Sequence, residues 1–470
     1  MIDAAIKVDD RSSADATRSR RILGVARHQP SPAFGFILVG GALSGAQVRD
    51  VRLANELVRR GYPVHAWWAM DRPKTNPLNL SIPQHWLFNA ARYGGWLPQA
   101  ALDDHVGRWI SRLTSDRWRQ QFVQRFPAIL DRQLHGLIRA VCAGVAQDQR
   151  LIRRFAADLS RMNITHLVPN LECLAPFAAA VLPHMPHPAR YLITFQGYEL
   201  YAAYAREIDQ LPALYAQLNE AVKRSDWPAI AVSDAYSDRI RREVGVAADD
   251  LATIPAGIPV GNPMNLAHAS KLVREGFPEY RPAAPLVSFV GRRDSEKGLD
   301  LLLYAARILQ SRGIRFQLAI CGPTAFGNQY AEACRQIAWN LRLPILWSDY
   351  VSDELRSALF RTSLMVVYPS IHEEPFGMVP VEAMAQGTPA IVPDTGGVAA
   401  LIQSAGRQGG LRFRTWDSGD LAYHMERLLT DTALHSRLAA DAPHVAESFS
   451  VERMGERVLD HLGLPHQNCE

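Results

Sequence analysis

Several common signals are missing from this chain, and each absence removes a class of protein. Its five cysteines, Cys142, Cys173, Cys321, Cys334 and Cys469, are scattered over 470 residues with no C-x-x-C pair. That excludes a cysteine-built disulfide or zinc framework and fits a reducing, cytoplasmic setting. No apolar run reaches the ~18 residues of a membrane span, and the longest candidates, 34–46 and 174–182, are short or broken by Gly and Pro. No apolar core follows the charges at the amino terminus, so no secretory leader is expected. An excess of one charge is lacking as well. With 51 Lys plus Arg against 47 Asp plus Glu, the whole-chain charge argues neither for nor against a polyanionic partner; no nucleic-acid partner is expected.

What is present is an α/β chain of ordinary composition, 48% apolar and 21% charged, long enough for two or three domains. Residues 1–33, rich in Asp, Ser, Ala and Arg, read as a disordered extension. A β-α-β unit follows: strand Phe34–Val39, a Gly-rich turn ending in Ser44-Gly45, a helix from Ala46 to Arg60, and a second strand over 61–67. The turn lacks the G-x-G-x-x-G spacing of a dinucleotide fingerprint. Gly45, directly before the helix, is its best candidate for a backbone N–H facing a ligand. Over 71–155 the α/β rhythm is lost. There Trp86, Trp96, Trp109, Trp118, Phe122 and Phe126 interleave with arginines, ten Arg against three Asp between Val106 and Phe155. This reads as a helical insertion packed by its aromatics, or as a peripheral contact with an anionic membrane on its inner face. Short apolar strands return at 166–169, 190–195, 229–232 and 251–254, and Pro255–Pro285 reads as the interdomain linker.

A second β-α-β series begins at Leu286–Val290. The turn behind it, Gly291-Arg-Arg-Asp-Ser-Glu-Lys-Gly298, sends out Arg292 and Lys297 together. A planar fork and a mobile point charge suit a diphosphate, although ordinary surface charge would look the same. Further strands are expected at 316–321, 344–347, 364–368 and 389–392. Between the last two lies Tyr368–Gly397, with Glu374 and Glu382 eight positions apart around Pro-Phe-Gly-Met-Val-Pro. Pro369 stops a buried strand. A helix begins near Met378, where Pro380 is tolerated in the first turn, and ends at Gly387. Strand end and helix start meet between Glu374 and Val379, where open α/β sheets bind ligands. A last helix, Val451–Leu462, is expected to return to the first domain.

Taken together, the Ser44-Gly45-Ala46-Gln47 loop, the Gly-Arg-x4-Lys turn and the E-x7-E pair within EPFGMVPVEAMAQGTPAIVPDTGG resemble the family 4 retaining glycosyltransferases. The resemblance spans about 34–462, with 71–155 poorly matched. It implies the glycosyltransferase-B fold: two Rossmann-like domains with parallel sheets facing across a cleft. The first, 34–260 with the helix at 447–463, would take the acceptor; the second, 261–446, would take the donor.

The same resemblance implies a retaining sugar transfer from a nucleotide-diphosphate-sugar to a hydroxyl acceptor. Arg292 and Lys297 would hold the diphosphate, and Glu374 the sugar hydroxyls. Glu382 would take the ribose, and the backbone from Phe376 through Gly377 and Met378 to Val379 would meet phosphate or sugar. Gly45 and Gln196 would complete the donor side, with Ser44, Gln47 and Tyr198 on the acceptor side. Such enzymes need no metal as a rule, no D-x-D pair is present, and no cofactor is expected. Where the family often has His, this chain has Gln196, which cannot change charge near neutral pH. Two other readings share the architecture: a sugar-nucleotide 2-epimerase, or a non-catalytic nucleotide-sugar-binding protein.

Overall fold

The computed structural model describes residues 31–39, 44–70, 80–89, 145–324 and 328–466. The amino-terminal extension, the Gly40–Gly41 turn and most of the Arg- and aromatic-rich stretch, including Trp96, Trp109 and Trp118, lie outside them.

The first sheet has the order β3 (Gln84–Asn89), β2 (Val64–Met70), β1 (Phe34–Val39), β4 (His166–Pro169), β5 (Arg190–Tyr191), all parallel. A smaller parallel sheet follows, β6 (Thr194–Phe195), β7 (Ala229–Ala231), β8 (Leu251–Thr253). The strand expected over 190–195 is therefore two strands. Its amino half pairs with β4 and its carboxyl half with β7, the bonds passing across at Leu192 N–Leu167 O and Ile230 N–Ile193 O, 2.9 and 2.8 Å. β3 was not anticipated. It lies inside the stretch where the α/β rhythm is lost, and polar residues at both its ends, QHWLFN, leave only a short apolar centre at the edge of the sheet.

The second sheet has the order β11 (Ile345–Ser348), β10 (Gln317–Cys321), β9 (Leu286–Val290), β12 (Met365–Val367), β13 (Ala390–Pro393), β16 (Gly410–Phe413), again all parallel. A hairpin, β14 (Gln403–Ser404) with β15 (Arg407–Gln408), precedes β16. β9, β10, β12 and β13 are buried throughout, as expected of parallel strands covered on both faces.

Each larger sheet reverses its strand order beside its first strand, at β1/β4 and at β9/β12. In open α/β sheets the crevice at that reversal, beyond the carboxyl ends of the strands, is where ligands bind. Helix α1 (Gly45–Arg59) leaves β1 at one reversal, and α2 (Gln149–Arg161) leads into β4. In the second domain the Arg292–Lys297 turn leads from β9 into α4 (Leu299–Ser311). α6 (Met378–Ala385) follows β12. Part of the segment read as linker is structured: Leu266–Gly276 is a helix, capped by Asn265, against α5 (Asp353–Thr362).

Helix α7 (Val451–Leu462) packs on the first domain, its Met454, Val458, Leu459 and Leu462 sharing a core with Phe34, Phe36, Val51 and Leu57. The chain crosses between domains twice, side by side. Ile258 N donates to Phe449 O at 2.9 Å and Val451 N to Ile258 O at 3.0 Å. Among the described residues no helix is long and apolar enough to cross a membrane.

Candidate functional site

The residues expected on the donor side are built from turns of the second domain. Behind β9, the 3₁₀ turn Ser295–Lys297 ends on Gly298, whose φ of 60° is left-handed and whose α-hydrogen faces the Pro369 carbonyl. A side chain there would strike that carbonyl, so glycine lets the Lys297 turn lie against the end of β12. Lys297 is consequently buried, with its Nζ on Glu374 Oε1 and its ammonium 5.8 Å from the centre of the Tyr368 ring. Ser370 donates to the same Glu374 oxygen at 2.9 Å. Burial alone would raise the Glu374 carboxyl, but the Lys297 ammonium prevails and holds it below its ordinary value. Burial would likewise lower Lys297, and Glu374 reverses this, so the lysine is pushed up. Both partners are charged, in register, where little water reaches them.

Arg292 lies on the same turn, its Nη1 2.7 Å from Asp294 Oδ2 and its Nη2 on Glu296. The two cations expected together are together, and each already has an acid partner. Gly377, with φ of 92°, carries the chain into α6, and a Cβ there would come within 2.8 Å of Val398 Cγ2. No side chain caps α6, so its first N–H groups and the positive end of its dipole are available to an anion. Phe376 is core, edge-on to Phe449 at 5.9 Å. Met378 and Val379 are half-buried. Glu382, four residues into α6, faces the first domain, its Oε1 2.6 Å from Arg52 Nη2 and its Oε2 3.5 Å from Arg356 Nε.

From the first domain, Gly45 meets this wall directly, a Cβ on it falling 3.4 Å from Met378 Cε. Ser44 and Gln47 serve α1 itself. Ser44 N donates to Gln47 Oε1 at 3.0 Å and Gln47 N to Ser44 Oγ at 3.3 Å, a closed capping box. Gln196 stands at the edge of the sheet beside β4. Its Nε2 donates to Asp50 Oδ2 at 3.1 Å and to the Asn170 carbonyl at 2.9 Å. Both amide hydrogens are thereby engaged, and its carbonyl oxygen is the atom left to receive a donor. Asp50 also takes Asn170 Nδ2 at 2.7 Å and Arg49 Nη1 at 2.7 Å. Burial raises its carboxyl despite that arginine.

Beyond Asn170 lies Glu172, fully buried, its carboxyl pushed up to about 8 by burial, with the nearby Glu199 and Asp50 charges adding to the rise. Tyr198 does not face a cleft. It is a core residue, 1% exposed, stacked on Tyr236 with its hydroxyl donating to Glu243 Oε2 at 2.7 Å. The apolar neighbourhood of Phe195 and Tyr215 draws the ring inward.

The two domains also touch at the turn before Gly377. Ser233 caps α3 (Asp234–Glu243), accepting from Tyr236 N at 3.2 Å, and donates its proton to the Pro375 carbonyl at 2.6 Å. A cavity of 240 Å³ beside this contact is lined by Tyr236, Arg239, Arg242, Glu373, Glu374 and Gly397. Sequence reasoning singled out neither Ser370 nor Arg52. Arg52 carried one usable signal: it is seven residues after Gly45, hence on the same face of α1. Ser370 sits three residues past the end of β12, at the sheet edge where ligands bind. Among the described residues no group of three His, Cys, Asp or Glu is placed to hold a metal.

Two parallel α/β domains with facing strand reversals, a buried Lys–Glu pair and an uncapped helix start define the glycosyltransferase-B architecture. Solved structures agree on the fold. Anabaena HepE, in complex with UDP and glucose, superposes with a TM-score of 0.66 at 17% identity, covering 92% of this chain and 99% of its own. Sucrose-phosphate synthase from Thermosynechococcus elongatus gives 0.66 at 17%, covering 92% and 98%. Residues 278–445 match the family model of glycosyl transferases group 1. Among curated relatives, the D-inositol 3-phosphate glycosyltransferase of Rhodococcus erythropolis is 32% identical over 184 residues, 38% of this chain and 41% of the relative. The mannosylfructose-phosphate synthase of Agrobacterium fabrum is 29% identical over 237 residues, 48% and 50%. The chain thus matches half or less of the length of each of these two.

Proposed function

We propose that the protein is a metal-independent, retaining glycosyltransferase that moves a sugar from a nucleotide-diphosphate-sugar to a hydroxyl of an acceptor. The observation that carries this reading is the buried Lys297–Glu374 pair at the β9/β12 reversal, beside the uncapped start of α6. It sets a cation for the diphosphate next to a carboxylate for the sugar. The family of residues 278–445 and the UDP and glucose held by HepE support the same assignment.

In this reading the bond between the sugar's anomeric carbon and the diphosphate oxygen breaks while an acceptor oxygen bonds to that carbon from the same face. The acceptor's proton passes to the departing diphosphate. Charge grows on that diphosphate, and Lys297, Arg292 and the α6 N–H groups would stabilise it. Lys297 has three donors, so it can keep Glu374 and still reach a phosphate. Glu374 would accept from sugar hydroxyls, Glu382 from the ribose, and the Gln196 carbonyl oxygen from one further hydroxyl. Gln196 cannot shuttle a proton, which disfavours the epimerase. The domain of Gly45 and Gln196 would take the acceptor.

The reaction would be cytoplasmic. The Arg- and aromatic-rich stretch between Val106 and Phe155 would touch anionic membrane, for which salt-sensitive flotation with anionic liposomes is the check; no flotation removes that contact. For the chemistry, Glu374→Gln should lower turnover about a hundredfold, the scale of one lost transition-state contact, with nucleoside diphosphate affinity little changed. Equal, small effects on both would overturn the role of Glu374.

A further inference from the structure

Arg52 leaves its own domain. It is 8% exposed on α1, among helix neighbours Val51, Leu53 and Ala54 that dock by apolar contact. Its Nη2 lies 2.6 Å from Glu382 Oε1 in the second domain. Its Nη1 donates to the Gly257 carbonyl at 3.2 Å, at one of the two crossings between domains, and sits 3.5 Å from Met378 Sδ. Arg356 of α5 approaches the other Glu382 oxygen at 3.5 Å. Two guanidinium groups from different domains thus fix one carboxylate. Simple docking of α1 would not require this, since a buried ion pair is often no more stabilising than apolar side chains of the same size.

We infer that Arg52 is a positioning residue for the nucleotide: it holds the Glu382 carboxylate in the orientation that accepts the ribose hydroxyls, so the first domain takes part in reading a ligand bound by the second. The inference rests on the reading of Glu382 as the ribose acceptor. A carboxylate has about four acceptor sites. Arg52 and Arg356 take one on each oxygen, and the remaining sites can receive two neighbouring hydroxyls. Without Arg52 the carboxylate is free to turn toward Arg356 and away from the first domain. Nucleotide affinity and the seating of α1 on α6 become linked through one side chain.

The test is the preference for ribose over 2′-deoxyribose within each variant, which a general loss of stability does not change. Calorimetric affinities of the full chain for UDP, GDP and their 2′-deoxy forms are measured for the wild type, Arg52→Gln, Arg52→Lys and Glu382→Gln. A hydrogen bond to a charged acceptor is worth roughly tenfold or more, so the wild type should prefer the ribonucleotide by about that factor. Arg52→Gln should reduce the preference below about threefold, and Arg52→Lys, which keeps the charge without the fork, should lie between. If Glu382→Gln abolishes the preference while Arg52→Gln keeps it, or binds nucleotide more tightly, the inference is overturned. If Glu382→Gln keeps the full preference, or the wild type binds neither nucleotide, the ribose reading fails and the inference with it.

Discussion

Lys297→Ala is the most informative single change. The side chain is 11% exposed and its partner Glu374 9%, so truncation leaves a carboxylate in a site built to hold an ion pair. Breaking a buried pair by removing one partner costs about 3–5 kcal/mol. For a domain of this size each kcal/mol moves the melting temperature by roughly 2–4 °C, which puts the expected loss near 10 °C. The loss should also depend on pH. In the wild type Glu374 is held below its ordinary value, so the pair's contribution is present above the unfolded-state range and fades as pH falls through the depressed value. In the variant, burial acts unopposed by Lys297 and raises the acid, so stability falls as pH rises from the unfolded-state value through the raised one. The deficit relative to wild type should therefore be larger at pH 8 than at pH 5. Calorimetric melts at both values, with nucleoside diphosphate titrations alongside, measure it. The double variant Lys297→Met, Glu374→Leu should recover much of the stability, because well-packed apolar pairs replace buried ion pairs with little loss, and none of the activity. Unchanged melting of Lys297→Ala at both pH values would refute the reasoning.

Glu172→Gln should stabilise the first domain, increasingly so as pH rises. The native acid is pushed up to about 8, so between its unfolded value and pH 8 the native state retains a proton that the unfolded chain has released. Wild-type stability declines there by at most about 1.4 kcal/mol per pH unit, and Gln removes the slope. Parallel melting curves of wild type and variant from pH 5 to 8 would contradict this. Gly377→Ala combines a left-handed φ with a clash against Val398. It should cost about 1–3 kcal/mol and weaken nucleoside diphosphate binding by displacing the start of α6. Full-affinity binding by a destabilised variant would separate the two effects and remove the α6 start from the site.

The doubly covered strands of both domains were legible in the sequence because they are continuous apolar runs between Gly and Pro, and buried parallel strands leave that signature. Phe34–Val39, Leu286–Val290 and the start of α6 at Met378 fall where the pattern puts them. β3 was missed because an edge strand such as Gln84–Asn89 carries polar residues like a loop. The break at Leu192–Ile193 could not be read because a strand that changes partners looks in sequence like one that does not.

At the site, Lys297, Glu374 and Gly377 stood out because turn residues in a fixed order carry local geometry. Arg52 did not, since its partner Glu382 is 330 positions away. Asp50 under Gln196 is a contact of the same kind, across 146 positions. Tyr198 shows the opposite case. A tyrosine after a strand end suggests a ligand contact, but its ring is worth more in an aromatic cluster than in water.

In the proposed function this cleft releases a nucleoside diphosphate from a nucleotide-sugar and keeps the sugar's anomeric configuration. Incubating the full chain with a panel of nucleotide-sugars in the absence of acceptor, and following donor, nucleotide and sugar by NMR, tests it most directly. A retaining transferase should show slow loss of one donor, equimolar nucleoside diphosphate, and a free sugar first seen in the donor's own anomeric form. No consumption of any donor, or conversion of one intact donor into its epimer, would contradict the proposed function.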